Sequence, residues 1–490
     1  MPVLLLLIVS SCTSIKKNNH SFILSATEAK EDLRLLKRVL EAKHPALYRY
    51  QSAENFNQHF QNTINGISDS IHQLQLRNKV GYLLAPIGCG HTSVRYSKQL
   101  ATHLINQPLP QFPFYIKTWK DSLVVLANTN LADSIIKRGT IITHINQIPA
   151  ATIIDSMFKL ISTDGYAQNF KSQVISTNFP YWYRMAWGTD SIYQITFINH
   201  LGSTQQTLVK AFSVQKKQDT LTKKQLSDSV VTKTKAPKPI IIPPQSLQLD
   251  TINKWGYLKI SSFSSKGLRK FIKRSFKTIE QYAVKHLIID IRENGGGKLQ
   301  LSTLLTRFVK NRPFTIADTV AAKDRSLAYG KHLKGLFAYW FPMQLTRKQK
   351  DGLFHFKYLE NKEYHPKNKY HYNGNIYILQ GGYTFSAATQ FLHQLHQQEN
   401  VITIGEETGG GWYGNNAVYT PTLVLPNSGL RVSIPLFSMV YKANKAAAGG
   451  GISPEILVEP SSFFIKTGVD GKLQKAISFI EMKENLPKKE

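Results

Sequence analysis

The sequence predicts an α/β protein whose layered core fills its second half, preceded by a helical unit and a β-rich domain. Three observations carry this. From Trp255 onward, apolar segments alternate between strand and helix periods, as a parallel or mixed sheet covered by helices requires. Leu287-Ile288-Ile289-Asp290-Ile291 is apolar at nearly every position, the pattern of a strand buried on both faces. The length of 490 residues corresponds to roughly three domains at about 150 residues each. A hydrophobic fraction of 42% with 19% charged residues excludes a wholly disordered chain or a collagen, and two cysteines exclude a disulfide scaffold.

The chain opens on an apolar run, Val3 to Val9, too short to cross a bilayer, that leads into small residues as a secretory signal does. Val9-Ser10-Ser11-Cys12 resembles a bacterial lipobox, which implies lipid on Cys12 and a cell-envelope location outside the cytoplasm; no Lys or Arg precedes the apolar run. An ordinary signal peptide with an incidental cysteine is the alternative. Residues 1–24 are thus read as lipoprotein signal and polar tether.

Residues 25–107 are expected to form a helical unit. Ser25 and Glu28 have the spacing of a capping box, and Ala29, Leu33, Leu36 and Leu40 follow at helical spacing until His44-Pro45. Further helices are expected over Ala53–Ile67 and Ser70–Leu84, delivering the chain to the loop Gly88-Cys89-Gly90-His91-Thr92. Residues 108–214 carry short strand patterns at Phe112–Lys117, Leu123–Ala127, Thr140–Asn146, Ile192–Ile198 and Thr207–Val214, with a helix at Ala151–Ile161. Within them Ile136–Gln147 resembles the middle of a PDZ domain, which implies a sheet edge able to capture an extended peptide. A β domain serving as a spacer is the other reading.

Residues 215–247, rich in Lys, Gln, Ser, Thr and Pro, read as a linker. The core, 248–490, is expected to hold strands at Gly256–Ile260, Leu287–Ile291, Asn375–Leu379 and Val401–Ile404, helices over Leu268–Ile279 and Ser386–His396, and a long exposed-edged β segment at Arg431–Tyr441.

The formal net charge is +30, from 61 Lys and Arg against 31 Asp and Glu. No zinc-finger, helix-turn-helix or aromatic RNA-binding pattern accompanies it, so a solvated basic surface is expected and nucleic acid is not a partner.

Two glycine-rich loops follow strands of the core. Asp290-Ile291-Arg292-Glu293-Asn294-Gly295-Gly296-Gly297 lacks the Lys-Ser/Thr ending of a phosphate loop and the spacing of a dinucleotide fingerprint; an oxyanion hole matches its type better. Gly381-Gly382-Tyr383-Thr384-Phe385-Ser386-Ala387-Ala388 places a serine at a strand-to-helix junction, where helix dipole and free amides favour developing negative charge. A plain N-cap role for Ser386 competes with a nucleophilic one. Cys89 is read as a buried structural thiol. His393 and His396 share a predicted helix without any Cys/His ligand spacing, so they are placed on a solvated face and no metal or cofactor is implied.

These two loops and the His91 loop occur in an order that resembles the tail-specific (C-terminal-processing) and tricorn-like serine peptidases. The resemblance implies a ClpP/crotonase-like core and hydrolysis of protein or peptide substrates. It also separates two catalytic branches. Gly405-Glu406-Glu407-Thr408-Gly409-Gly410-Gly411 matches the segment that carries the lysine of the Ser/Lys branch, but Gly411 stands at the lysine position. The tricorn-like branch uses a histidine in a loop matched by Gly88–Thr92. Resemblance therefore implies Ser386 as nucleophile, His91 as general base and an oxyanion hole from the amides of Ala387 and Gly296, with Gly295 or Gly297 as substitutes. The branch's orienting glutamate is replaced by Ala448, and Gly90 has no hydroxyl to relay; Glu406, Glu407 and Glu455 are candidates for the missing orienter. Two alternatives follow from that departure: a catalytically impaired peptide-binding lipoprotein, or a hydrolase of small esters or amides.

Overall fold

A computed structural model describes residues 22–199, 201–213, 243–441 and 449–485. Ser25 caps the helix Ala26–Lys43: its Oγ accepts from the Glu28 amide at 3.3 Å while its own amide donates to Glu28 Oε2 at 2.9 Å. The buried stripe Ala29, Leu33, Leu36 and Leu40 packs on Phe56 and Phe60 of helix Ala53–Asn65 and on Leu76 and Val80 of helix Gln73–Leu84. That core is continuous with Leu423, Val432 and Phe437 of the second half, so the helical unit is built onto the α/β core.

The β-rich region has its own core around Phe112, Ile142, Ile153 and Tyr193. Its sheet runs Phe114–Trp119, Ser122–Asn128, Ile141–Ile145, Ile192–Ile198 and Thr204–Lys210 in chain order. The last strand begins earlier than its expected place at Thr207, because the turn through Asn199 and Gly202 brings Thr204 opposite Ile198 and sets the register. Two helices, Gln168–Thr177 and Phe179–Trp187, were not expected from periodicity. Pro180 in the first turn of the second is compatible with a helix start, where its missing N–H costs nothing.

The core sheet has six strands in the order Gln245–Asp250, Trp255–Ile260, His286–Asp290, Asn375–Gln380, Val401–Gly405 and Ile456–Leu457. The first pairs antiparallel, and every later pair is parallel. Residues 245–247, expected as the end of the linker, thus belong to an edge strand. Helices Leu268–Gln281, Leu299–Val309 and Ala387–Leu395 cover one face through Ile272, Leu305 and Phe391. Ala476 and Ile480 of the C-terminal helix cover the other.

The expected single strand over Arg431–Tyr441 is two. Arg431–Ser433 and Phe437–Val440 lie in different sheets and are largely buried, since Pro435 between them cannot donate to a ladder. The first of the two pairs with Val94–Arg95, directly downstream of His91, which stitches the histidine loop to the core.

Candidate active site

Both glycine-rich loops leave the carboxyl ends of adjacent parallel strands, His286–Asp290 and Asn375–Gln380, where open α/β sheets place their ligands. Ser386 stands between its strand and helix Ala387–Leu395 at φ 56° and ψ −119°, a conformation that costs a non-glycine residue energy and persists only when its surroundings impose it. They do. The Thr384 hydroxyl donates to the Ile291 carbonyl at 3.0 Å, and the Phe385 amide donates to the Asn294 carbonyl at 3.0 Å. The Gly409 amide closes the turn by donating to the Thr384 carbonyl at 3.1 Å.

Held this way, Ser386 makes no side-chain cap bond to its helix. Its Oγ lies 3.1 Å from His91 Nε2 instead. The plain N-cap reading therefore fails, and the structure joins two residues far apart in sequence. Burial pushes the His91 imidazole down to about 4, so the ring is neutral at pH 7. Phe385 packs against it with centroids 4.8 Å apart, and Phe170 stacks in turn on Phe385 at 4.6 Å.

Gly296 passes against the serine at φ +100°; a Cβ there would fall 2.7 Å from Ser386 Cβ. The expected oxyanion donor role of the Gly296 amide needs correction, because that N–H is committed to Asn294 Oδ1 at 2.9 Å. Asn294 is fully buried, and its Nδ2 donates to the Ile260 carbonyl at 3.0 Å. It braces the glycine loop against the serine turn. Asn294 signals itself in the sequence only as an amide side chain beside three glycines. The Ala387 amide opens its helix, and so has no intrahelical acceptor.

The histidine loop is tethered from the β-rich side. The Gly90 amide donates to Asp164 Oδ1 at 2.8 Å, and the Gly165 amide donates to the Gly88 carbonyl at 2.9 Å. The Gly411 backbone lies beside the same carboxyl. Burial pushes the Asp164 carboxyl up to about 7, against the Gly90 bond that lowers it, and its Oδ2 is buried without a partner among the described residues. No local motif marked this residue. Cys89 is a buried free thiol that burial pushes up to about 11, unreactive at neutral pH.

None of the three candidate orienters reaches His91. Glu406 is paired with Lys472, Glu407 Oε1 accepts from the Gly451 amide at 2.6 Å, and Glu455 Oε2 accepts from the Thr403 amide at 3.3 Å. His91 Nδ1 is buried without a hydrogen-bond partner among the described residues. Ala448 and Cys12 lie outside the described residues. At Gly411, the lysine position of the other branch, a Cβ would face Asp164 Cβ at 3.5 Å.

His393 and His396 are not on a solvated face. The His393 ring sits 5.0 Å from both Trp412 and Tyr441, and burial pushes its imidazole down to about 4. Among the described residues, no group of three or more His, Cys, Asp or Glu side chains is arranged to hold a metal ion.

Residues 254–458, which contain both glycine-rich loops and Ser386, match the model of peptidase family S41. The chain carries an S41 peptidase domain. The resemblance to tail-specific and tricorn-like serine peptidases, drawn from three loops, holds at that level, and with it the α/β core. The fold is shared beyond the S41 domain. A structure of a serine-to-alanine mutant of CPAF superposes with a TM-score of 0.65 at 12% identity, covering 95% of this chain and 99% of that one. Mature CPAF complexed with lactacystin gives 0.63 at 14% identity over 93% and 98%. At such identities the likeness shows the fold alone. No curated protein sequence matches the chain.

Proposed function

We propose that the protein is a serine peptidase that cleaves proteins or peptides outside the cytoplasm through an acyl-enzyme on Ser386. The observation that carries this is the 3.1 Å approach of His91 Nε2 to an Oγ withheld from helix capping. Ser386 Oγ attacks the scissile carbonyl carbon while its proton passes to His91 Nε2. The resulting oxyanion lies over the Ala387 amide and a glycine-loop amide, Gly295 or Gly297 now that Gly296 is committed. Collapse expels the amine, which takes the proton from Nε2. Water then attacks the ester carbonyl and gives a proton to Nε2; collapse breaks the acyl–Oγ bond, Ser386 Oγ takes that proton back from Nε2, and the carboxylic acid leaves.

A fluorophosphonate followed by intact mass tests this first. A single covalent adduct is the expected result, and none in folded protein would favour a second reading. That reading is a peptide-binding protein without turnover, and the partnerless His91 Nδ1 supports it.

The pH profile gives an independent check. Only the neutral imidazole accepts a proton, and burial has moved its protonation down to about 4. The acid limb of kcat/KM is therefore expected near pH 4, with activity lost as pH falls through it, rather than at the ordinary histidine value of about 6.5. A limb at pH 6 to 7 would argue against His91 as the base.

The envelope location rests on Val9-Ser10-Ser11-Cys12. Palmitate fed to expressing cells should label the protein through Cys12 and leave Cys12→Ser unlabelled. Equal labelling of both would remove the anchor.

A further inference from the structure

A cavity of about 300 Å³ lies directly behind the histidine loop, walled by Arg77, Gly90, Arg95, Phe170, Tyr181 and Trp182. Two of these residues belong to the active-site surroundings: Gly90 precedes His91, and the Phe170 ring stacks on Phe385. Arg77 is the anomaly. It projects from helix Gln73–Leu84 and is 4% exposed, yet it forms no ion pair among the described residues. Its Nε is buried without a partner, and its Nη1 has a 3.4 Å contact with Asn78 Oδ1. The guanidinium carbon lies 5.4 Å from the Trp182 ring centroid, which offsets only part of the lost hydration.

Removing a permanent charge from water without a counter-charge is costly, and buried arginines are ordinarily paired. The cavity lining contains no Asp or Glu, and a second arginine, Arg95, stands at its exposed side. Room is left for the fork: Gly81, one helical turn on, lacks the Cβ that would sit 3.6 Å from Nη1. A guanidinium with free donors, flat aromatic walls and no competing anion matches a planar carboxylate.

We propose that this cavity is a carboxylate subsite in which Arg77 takes an acidic group of the bound peptide, either a Glu or Asp side chain or the chain's own terminus. The assignment rests on the peptidase reading for its substrate, but not for its chemistry. It places recognition of negative charge beside the histidine, on the helical unit and β-rich region rather than within the S41 domain.

The test uses full-length protein and two peptide pairs. One pair has an amidated C-terminus and differs only by Glu against Gln; the other lacks acidic side chains and differs only by a free against an amidated C-terminus. One pair is expected to show a preference for the acid of at least tenfold in kcat/KM, expressed in KM, and this identifies the source of the carboxylate. In Arg77→Met the preference should fall to about onefold while kcat for the neutral peptides is kept. The melting temperature should not drop, since the variant loses a charge that had no partner. If Arg77→Met does not fold, Arg77→Gln serves.

Binding of the same peptides to Ser386→Ala by fluorescence anisotropy separates this proposal from the peptidase reading. An acid preference in binding without cleavage by the parent protein would keep the subsite and remove the peptidase. No preference in binding for either pair, or a preference that persists in a folded Arg77 variant, would overturn the subsite.

Discussion

Ser386→Ala is expected to lower peptide turnover by roughly 10⁴- to 10⁶-fold, as loss of the nucleophile does in serine peptidases. The fluorophosphonate adduct should vanish with it. Stability should hardly change, and the reason is specific to this turn. The Oγ makes no cap bond, so its removal leaves no helix amide newly unsatisfied. Alanine must also adopt the same φ of 56°, imposed by the bonds at Thr384, Phe385 and Gly409, so the strain is equal in both proteins. Melting curves that coincide, together with lost cleavage, are the signature of a missing nucleophile. A variant that still cleaves would place the chemistry on another residue.

Asp164→Ala should cost about 10- to 100-fold in kcat with KM little changed, the range that misplacement of a reacting group produces. Asp164 touches neither the serine nor a substrate. It holds Gly90, the residue before His91, so truncation frees the histidine loop and leaves the partly buried Gly90 amide without its acceptor. Some loss of stability will accompany this. Asp164→Asn distinguishes positioning from bulk stability, because its amide oxygen can keep the Gly90 bond at 2.8 Å. It is expected to restore kcat to within a few fold and to restore the rate of labelling at Ser386. If Ala lowers the melting temperature but leaves kcat intact well below it, Asp164 is structural only.

The contrast between these two residues marks where sequence reading reaches and where it stops. Ser386 was legible because a strand, a glycine-rich turn and a helix of small residues are contiguous, and each leaves a local pattern. The Ser25 capping box, the stripe Ala29 to Leu40 and the buried strand through Ile289 were legible for the same reason: their periods reflect covalent geometry and the need to bury one face. The nucleophilic role of Ser386 and the base role of His91 were both reached by resemblance, since neither role leaves a periodicity of its own.

Local patterns failed where distant segments chose the outcome. Arg431–Tyr441 reads as one strand by composition, yet its two halves serve different sheets around Pro435. His393 and His396 are expected on a solvated helix face, but Trp412 and Tyr441 pack against the first and Trp412 against the second. The Gly296 amide looked free until Asn294 folded back onto it. By itself, the sequence determined the strand and helix faces and the serine turn, because these depend on neighbours a few residues away. Tertiary structure alone decided that Asp164 holds the histidine loop, that Nδ1 of His91 lacks a partner among the described residues, and that Arg77 is buried without a counter-charge there. Each is a property of what packs against the residue, and burial and pairing are set by side chains from segments that no local period connects.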